Sequence, residues 1–173
     1  YIGVKKGQTG NRIARRITFS SRLLETPMLP SLHVSPSAVL AGFAFEVTLG
    51  YFWYGTWFKR GWAEALGLDP NFKPMPSMVR RLRIVRWASM AWTVTILALG
   101  IAVIRPSSWG LGQDAPPWVY GLVAAAVAWS GFCGPQLVGR VAWERAPWSI
   151  LRIHGGFHAV ALLGVGQILA WWP

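Results

Sequence analysis

Acidic side chains are the scarcest feature of this sequence: 173 residues carry six Asp and Glu against 17 Lys and Arg, a formal net charge of +11. Charge of either sign is also thin, at 13 % of residues, whereas soluble domains run at roughly 25 %. A single cysteine, Cys133, excludes an internal disulfide and with it the stapled framework of a small secreted module. No G-x-S-x-G, Walker, G-x-G-x-x-G or H-E-x-x-H pattern occurs, so no nucleophile, phosphate cradle or zinc helix is legible and no enzyme is expected. Period-two alternation over ten residues is missing too, which argues against a membrane β-barrel. The excess is apolar: 53 % hydrophobic residues and a mean hydropathy of +0.36, gathered in four stretches each about as long as a bilayer is thick. The expected fold is all-α, an integral membrane bundle of four transmembrane helices with an extended basic N-terminal tail.

The tail, residues 1–37, holds six Lys/Arg, one acid (Glu25) and three Pro. Arg-rich and acid-poor, it reads as a mitochondrial or plastid targeting segment or what remains after cleavage, and an opening Tyr1 fits that; a bacterial cytoplasmic tail is the alternative. The membrane domain, 38–173, contains expected spans at about 38–58, 85–104, 118–139 and 150–172. Lys59 and Arg60 stop the first, and a short amphipathic turn and a Pro-interrupted stretch follow. Arg105-Pro106 ends the second, because proline cannot continue a helix and biases its predecessor away from one. Gly134-Pro135 is expected to kink the third or end it before Arg140. Ten Lys/Arg flank the connectors after spans one and three, against seven on the opposite side. That places those connectors on the matrix, stroma or cytoplasmic face.

Most of the twelve Trp fall at span ends, where an indole buries its rings and keeps its N–H near headgroups. Trp92 and Trp129 lie deeper and are expected to pack between helices. Gly131, Gly134, Gly139, Gly155, Gly156, Gly164 and Gly166 let helices approach closely, either within the bundle or against other subunits. The basic residues sit outside the apolar runs, so anionic headgroups and acidic partner surfaces are the expected contacts, and nucleic acid is not. Arg60, Arg80, Arg81, Arg83, Arg86, Arg140, Arg145 and Arg152 are the candidate headgroup ligands.

Inside the spans the polar candidates are Glu46, His154, His158 and Gln167. Glu46, the only acid within a span, must be paired or protonated and should face the bundle. It reads either as a proton or ion relay or, the plainer and favoured reading, as a structural hydrogen bond to His158, Thr93 or Gln167. His154 and His158 share one helix face at i and i+4; a metal or bis-His haem would need further ligands, so interfacial hydrogen bonding or lipid contact is favoured. Cys133, beside a helix break, reads as inert. No metal or cofactor is expected, only bound phospholipid, cardiolipin included.

Gly50, Trp53-Tyr54-Gly55, Phe58-Lys59 and Trp62 form a run that resembles the first-span signature of small four-span bacterial membrane proteins, the domain-of-unknown-function family 1761. Trp129-Ser130-Gly131-Phe132, Trp143, Pro147 and Ile153-His154-Gly155-Gly156-Phe157 are similar to that family's second half. The resemblance covers about residues 36–173, with Thr56 standing where the family usually has Pro. It implies four helices and no reaction.

The expected role is a non-catalytic supernumerary subunit of a large energy-converting membrane complex, with other subunits and membrane lipids as partners. The mitochondrial inner membrane is the expected place, in a respiratory chain complex or ATP synthase, with plastid thylakoid and bacterial inner membrane as alternatives. A basic, Pro-containing tail orders only where it lies along something, which suits such an assembly. A stand-alone carrier or membrane enzyme using Glu46, His154 and His158 is the second expectation, and a haem- or chlorophyll-carrying subunit the third.

Overall fold

A computed structural model describes residues 30–69 and 76–172. Most of the expected basic tail, and the stretch from Pro70 to Met75 with Lys73, lie outside them. Among the described residues the chain is all-α, without strands.

Helix α1, Pro36–Phe52, starts with proline in its first turn, where a missing amide proton costs nothing. It runs into a π-helical turn, Trp53–Trp57, and then α2, Lys59–Ala65, the short amphipathic piece expected after the first span. Helix α3, Pro76–Ile104, is longer at its start than expected. Arg80, Arg81, Arg83 and Arg86 occupy its first three turns rather than a connector. Charge removes the apolar signal without removing the helix, since Arg is a good helix former and its long stem carries the guanidinium outward. Arg105 is extended ahead of Pro106, and a 3₁₀ turn, Pro106–Trp109, closes on a left-handed Gly110.

Helix α4, Pro117–Ala128, passes through a second π turn, Trp129–Cys133, into α5, Gly134–Trp143. The break expected at Gly134-Pro135 does not end the helix. The Gly134 amide bonds back to the Trp129 carbonyl, five residues away, and the widened turn takes up the clash a proline ring makes with the preceding turn. Helix α6 is Trp148–Trp171. Among the described residues, three stretches are long and apolar enough to cross a membrane: Ser77–Ile104, Pro117–Trp143 and Trp148–Trp171.

Helix α6 packs against each of the other helices. Val94, Leu97 and Ile101 of α3, Tyr120 and Ala125 of α4, and Leu162, Val165 and Leu169 of α6 form the main core. Glycines set the spacing. At the crossing of α4 and α6 a Cβ on Gly121 would lie 2.7 Å from the Gly166 carbonyl oxygen, and one on Gly166 equally close to the Gly121 oxygen. Backbones in contact are the membrane substitute for hydrophobic drive, which is absent between helices in lipid. Gly164 makes room for the Phe45 ring, whereas Gly131 and Gly139 face open space. Trp129 packs inward as expected. Trp92 does not: it is 71 % exposed, on the outer face of α3, where an indole is solvated by lipid as readily as by protein.

Candidate functional site

Ala38, Gly42, Glu46 and Gly50 recur every four residues and form the buried stripe of α1. The small members admit neighbours: a Cβ on Gly42 would meet Val94 and Val165 at 3.1 and 3.2 Å. The stripe therefore carries Glu46 into the bundle, where the residue is 6 % exposed and the only buried charged residue among those described. A small, partly open cavity of about 90 Å³ lies beside it, lined by Glu46, Thr93, Cys133, His158 and four apolar neighbours.

Two of the three partners expected for Glu46 are thus brought to it, but no direct hydrogen bond to its carboxylate forms among the described residues. Thr93 gives its hydroxyl proton to its own helix, at the Ser89 carbonyl, 3.0 Å. Gln167 is elsewhere, donating to the Trp118 carbonyl at 3.2 Å. The histidine pair divides its work. His158 lines the cavity, and its ring meets Phe157 edge-on at 5.4 Å. His154, one turn earlier, hydrogen-bonds through Nδ1 to the Tyr54 hydroxyl at 2.9 Å.

Arg86 joins this cluster from α3. Gly50 leaves space for it: a Cβ there would come within 2.8 Å of Nη2. The guanidinium lies over the rings of Tyr54 at 4.8 Å and Phe157 at 5.7 Å, the geometry of cation–π attraction. Arg86 is thus engaged with the bundle rather than simply presented to headgroups.

Like Arg86 itself, the other headgroup candidates are exposed: Arg60 on α2, Arg80, Arg81 and Arg83 on α3, Arg140 on α5, Arg145 between α5 and α6, and Arg152 on α6. Arg140 pairs with Glu144 at 3.1 Å, which offsets part of its charge; exposed pairs of this kind are worth little in stability. Arg145 sits at a left-handed φ of 55°.

Both π turns clamp α6 beside the histidines. Trp53 Nε1 donates to the Ile153 carbonyl at 3.0 Å and Trp129 Nε1 to the Gly155 carbonyl at 2.9 Å. The sequence had named neither Tyr54 nor these clamps as part of the site. The available signal was the repeated Trp-x-Gly at 53–55 and 129–131. Among the described residues no three His, Cys, Asp or Glu side chains come together to hold a metal ion.

No curated protein and no solved structure matches the chain. The family described as "Protein of unknown function (DUF1761)" matches residues 37–170, which takes in the Trp-Tyr-Gly run, Glu46 and both histidines, and the chain belongs to that family.

Proposed function

We propose that this protein crosses a membrane four times and takes up and releases a proton at Glu46, with His158 as its partner in the bundle. The three long apolar stretches support three of the crossings. For the fourth, α1 has 17 residues and runs without a break into a five-residue π turn, together near the ~20 residues a bilayer core requires. The observation that carries the proton reading is the shared cavity of Glu46 and His158. A carboxylate in the hydrocarbon region costs several kcal/mol unless neutralised. A proton held by the carboxylate, or passed to the imidazole through water in the cavity, neutralises it or converts it to an ion pair. The His154–Tyr54 hydrogen bond continues the line of proton-carrying groups one turn further along α6. The two π turns beside this line fit the reading, since π-bulges are frequent at functional sites. The reading makes the chain a carrier, with no covalent step.

The test is proton flux into liposomes holding the purified chain, followed with a pH-sensitive dye under an imposed potential. Wild type should conduct, and Glu46→Gln should lower flux at least tenfold while leaving the melting temperature within a few degrees. Absence of flux in the wild type, or equal flux in the variant, overturns the reading.

A second reading has its own support. Between α3 and α4 lies an apolar groove of about 620 Å³, edged by Trp92 and by Phe132, which is 70 % exposed. An open groove at mid-span depth suits a supernumerary subunit of a large energy-converting complex, such as a respiratory chain complex or ATP synthase of the mitochondrial inner membrane, with its arginines on cardiolipin-like headgroups. Gentle solubilisation distinguishes the two: co-migration with a large complex supports the subunit, and a particle of the chain's own mass opposes it.

A further inference from the structure

The end of the bundle opposite Tyr54 holds a cation that neither reading uses. Arg105 follows α3 directly, in the extended residue ahead of Pro106. Its Nη2 donates to the Ala170 carbonyl at 2.6 Å, and its Cζ lies 5.7 Å from the Tyr120 ring. Its Nε is buried without a partner. No carboxylate comes within ion-pair distance of it among the described residues.

Asp114 is the nearby acid, sharing with Arg105 a recess of about 220 Å³. It is already committed, accepting the Ser107 amide at 2.9 Å and the Ser107 hydroxyl at 2.7 Å. Those two bonds hold its carboxyl below the usual carboxylate range, with the Arg105 charge a lesser cause.

Arg105 also faces a separate recess of about 230 Å³ whose wall is mixed, with Ser31, His33, Ser35, Ser107 and Ser108 beside apolar side chains of α1, α3 and α6. The Ser108 hydroxyl is spent on the Ala102 carbonyl at 2.6 Å and that of Ser107 on Asp114. Ser31 leans on the Ser108 carbonyl at 3.4 Å, and Ser35 shares a proton with Ser37 at 2.8 Å. The donors left to read a ligand are the guanidinium, the exposed His33 ring and Ser35. A fixed positive charge, N–H and O–H donors and, among the described residues, no acid on the wall make an anion site. Trp109, Trp118, Trp171 and Trp172 surround this end of the bundle, the side chains that mark headgroup depth.

We propose that this recess binds a phosphate group, that of a phospholipid headgroup at the level of the Trp belt, with Arg105 as its charged ligand. Arg is suited to the task because its planar fork matches two phosphate oxygens at once. The proposal is independent of Glu46 and of any partner subunit.

The test uses the full chain in a neutral detergent, with its melting temperature followed while dihexanoyl phosphatidylglycerol, dihexanoylglycerol or inorganic phosphate is added. Phosphatidylglycerol should raise the midpoint by several degrees, and dihexanoylglycerol, which lacks the phosphate, should not. Arg105→Gln should weaken the response at least tenfold and Arg105→Lys less. Lys59→Gln, a cation at the other end and outside the headgroup candidates, should leave it intact. Because Arg105→Gln also removes the bond to Ala170, a second variant protects the test. Ser35→Asp introduces a carboxylate at the α1 N-cap, a position that favours Asp, and should abolish the response in a folded protein. Equal loss in Lys59→Gln, or a full response in folded Ser35→Asp, overturns the site. An equal shift with inorganic phosphate keeps the site and overturns the lipid as its source.

Discussion

The two π turns begin alike and end differently. In each, a tryptophan opens the turn and its carbonyl accepts an amide five residues on: Phe58 to Trp53 at 2.9 Å, and Gly134 to Trp129. In each, the same tryptophan's indole clamps α6, at carbonyls only two residues apart. After the first turn the helix stops at Phe58, whose φ of −115° is not helical, and α2 begins. After the second, α5 continues through Pro135. Trp53 sits among rings, with Phe58 at 4.7 Å and Phe157 at 6.2 Å, whereas the Trp129 ring fits over Gly134 and Gly155. The tertiary contact is shared, and the fate of the helix differs. The π turn is therefore better understood as the backbone adjustment that aims an indole at α6 than as a device for ending a helix.

Truncation tests this most severely. Trp53→Ala and Trp129→Ala each remove a clamp and a large ring. In soluble cores such changes cost about 3–5 kcal/mol, and in a bilayer, where no hydrophobic drive adds to packing, about 2–3 kcal/mol is expected. Unfolding in mixed micelles, followed by circular dichroism, measures both. If Trp129→Ala is nearly silent while Trp53→Ala is costly, the turns are not equivalent and the second exists only to pass Pro135.

A finer contrast lies in two adjacent glycines of α6. A Cβ on Gly156 would meet the Trp53 ring at 3.1 Å, while one on Gly155 would touch Leu137 and Trp129 at ordinary distances, 3.6 and 3.8 Å. Gly156→Ala is therefore expected to destabilise by about 1–2 kcal/mol through overpacking. Gly155→Ala should be neutral or slightly stabilising, since alanine is the better helix former by about 1 kcal/mol. The same unfolding assay reads the difference, and equal effects would mean that Trp53 is not held against α6.

These contrasts mark where the sequence stops being informative. The positions of the apolar stretches, the inward direction of Glu46 and the shared face of the two histidines follow from residue chemistry and helical period, and the first-span run resembled the family to which the chain belongs. The π turns were not legible, because one extra residue per turn is chosen by a tertiary partner, here the α6 carbonyls. Gly121, central to the tightest crossing, carries no local mark separating it from Gly131, which faces open space. The first three turns of α3 looked like a connector because four arginines erased the apolar pattern. Arg86 could be read as a headgroup ligand by its charge, but its place over Tyr54 depends on Gly50, in a different helix.

The smallest expected effect separates the two halves of each clamp. Trp53→Phe and Trp129→Phe keep a ring in the packing and remove only the indole N–H. The carbonyls of Ile153 and Gly155 lie inside α6 and keep their helical amide partners, so neither is left unsatisfied. Loss of such a secondary donor is worth about 0.5–1 kcal/mol, consistent with the modest value of hydrogen bonds between membrane helices. The more telling readout is amide hydrogen exchange at Phe58 and Gly134. If the indole bond holds the π register, both amides should exchange faster in the Phe variants, by roughly the 2–5-fold that such an energy implies. Unchanged exchange with the same loss of stability would mean that the wide turns are set within their own helices, and that the tryptophans merely find α6 once the turns have formed.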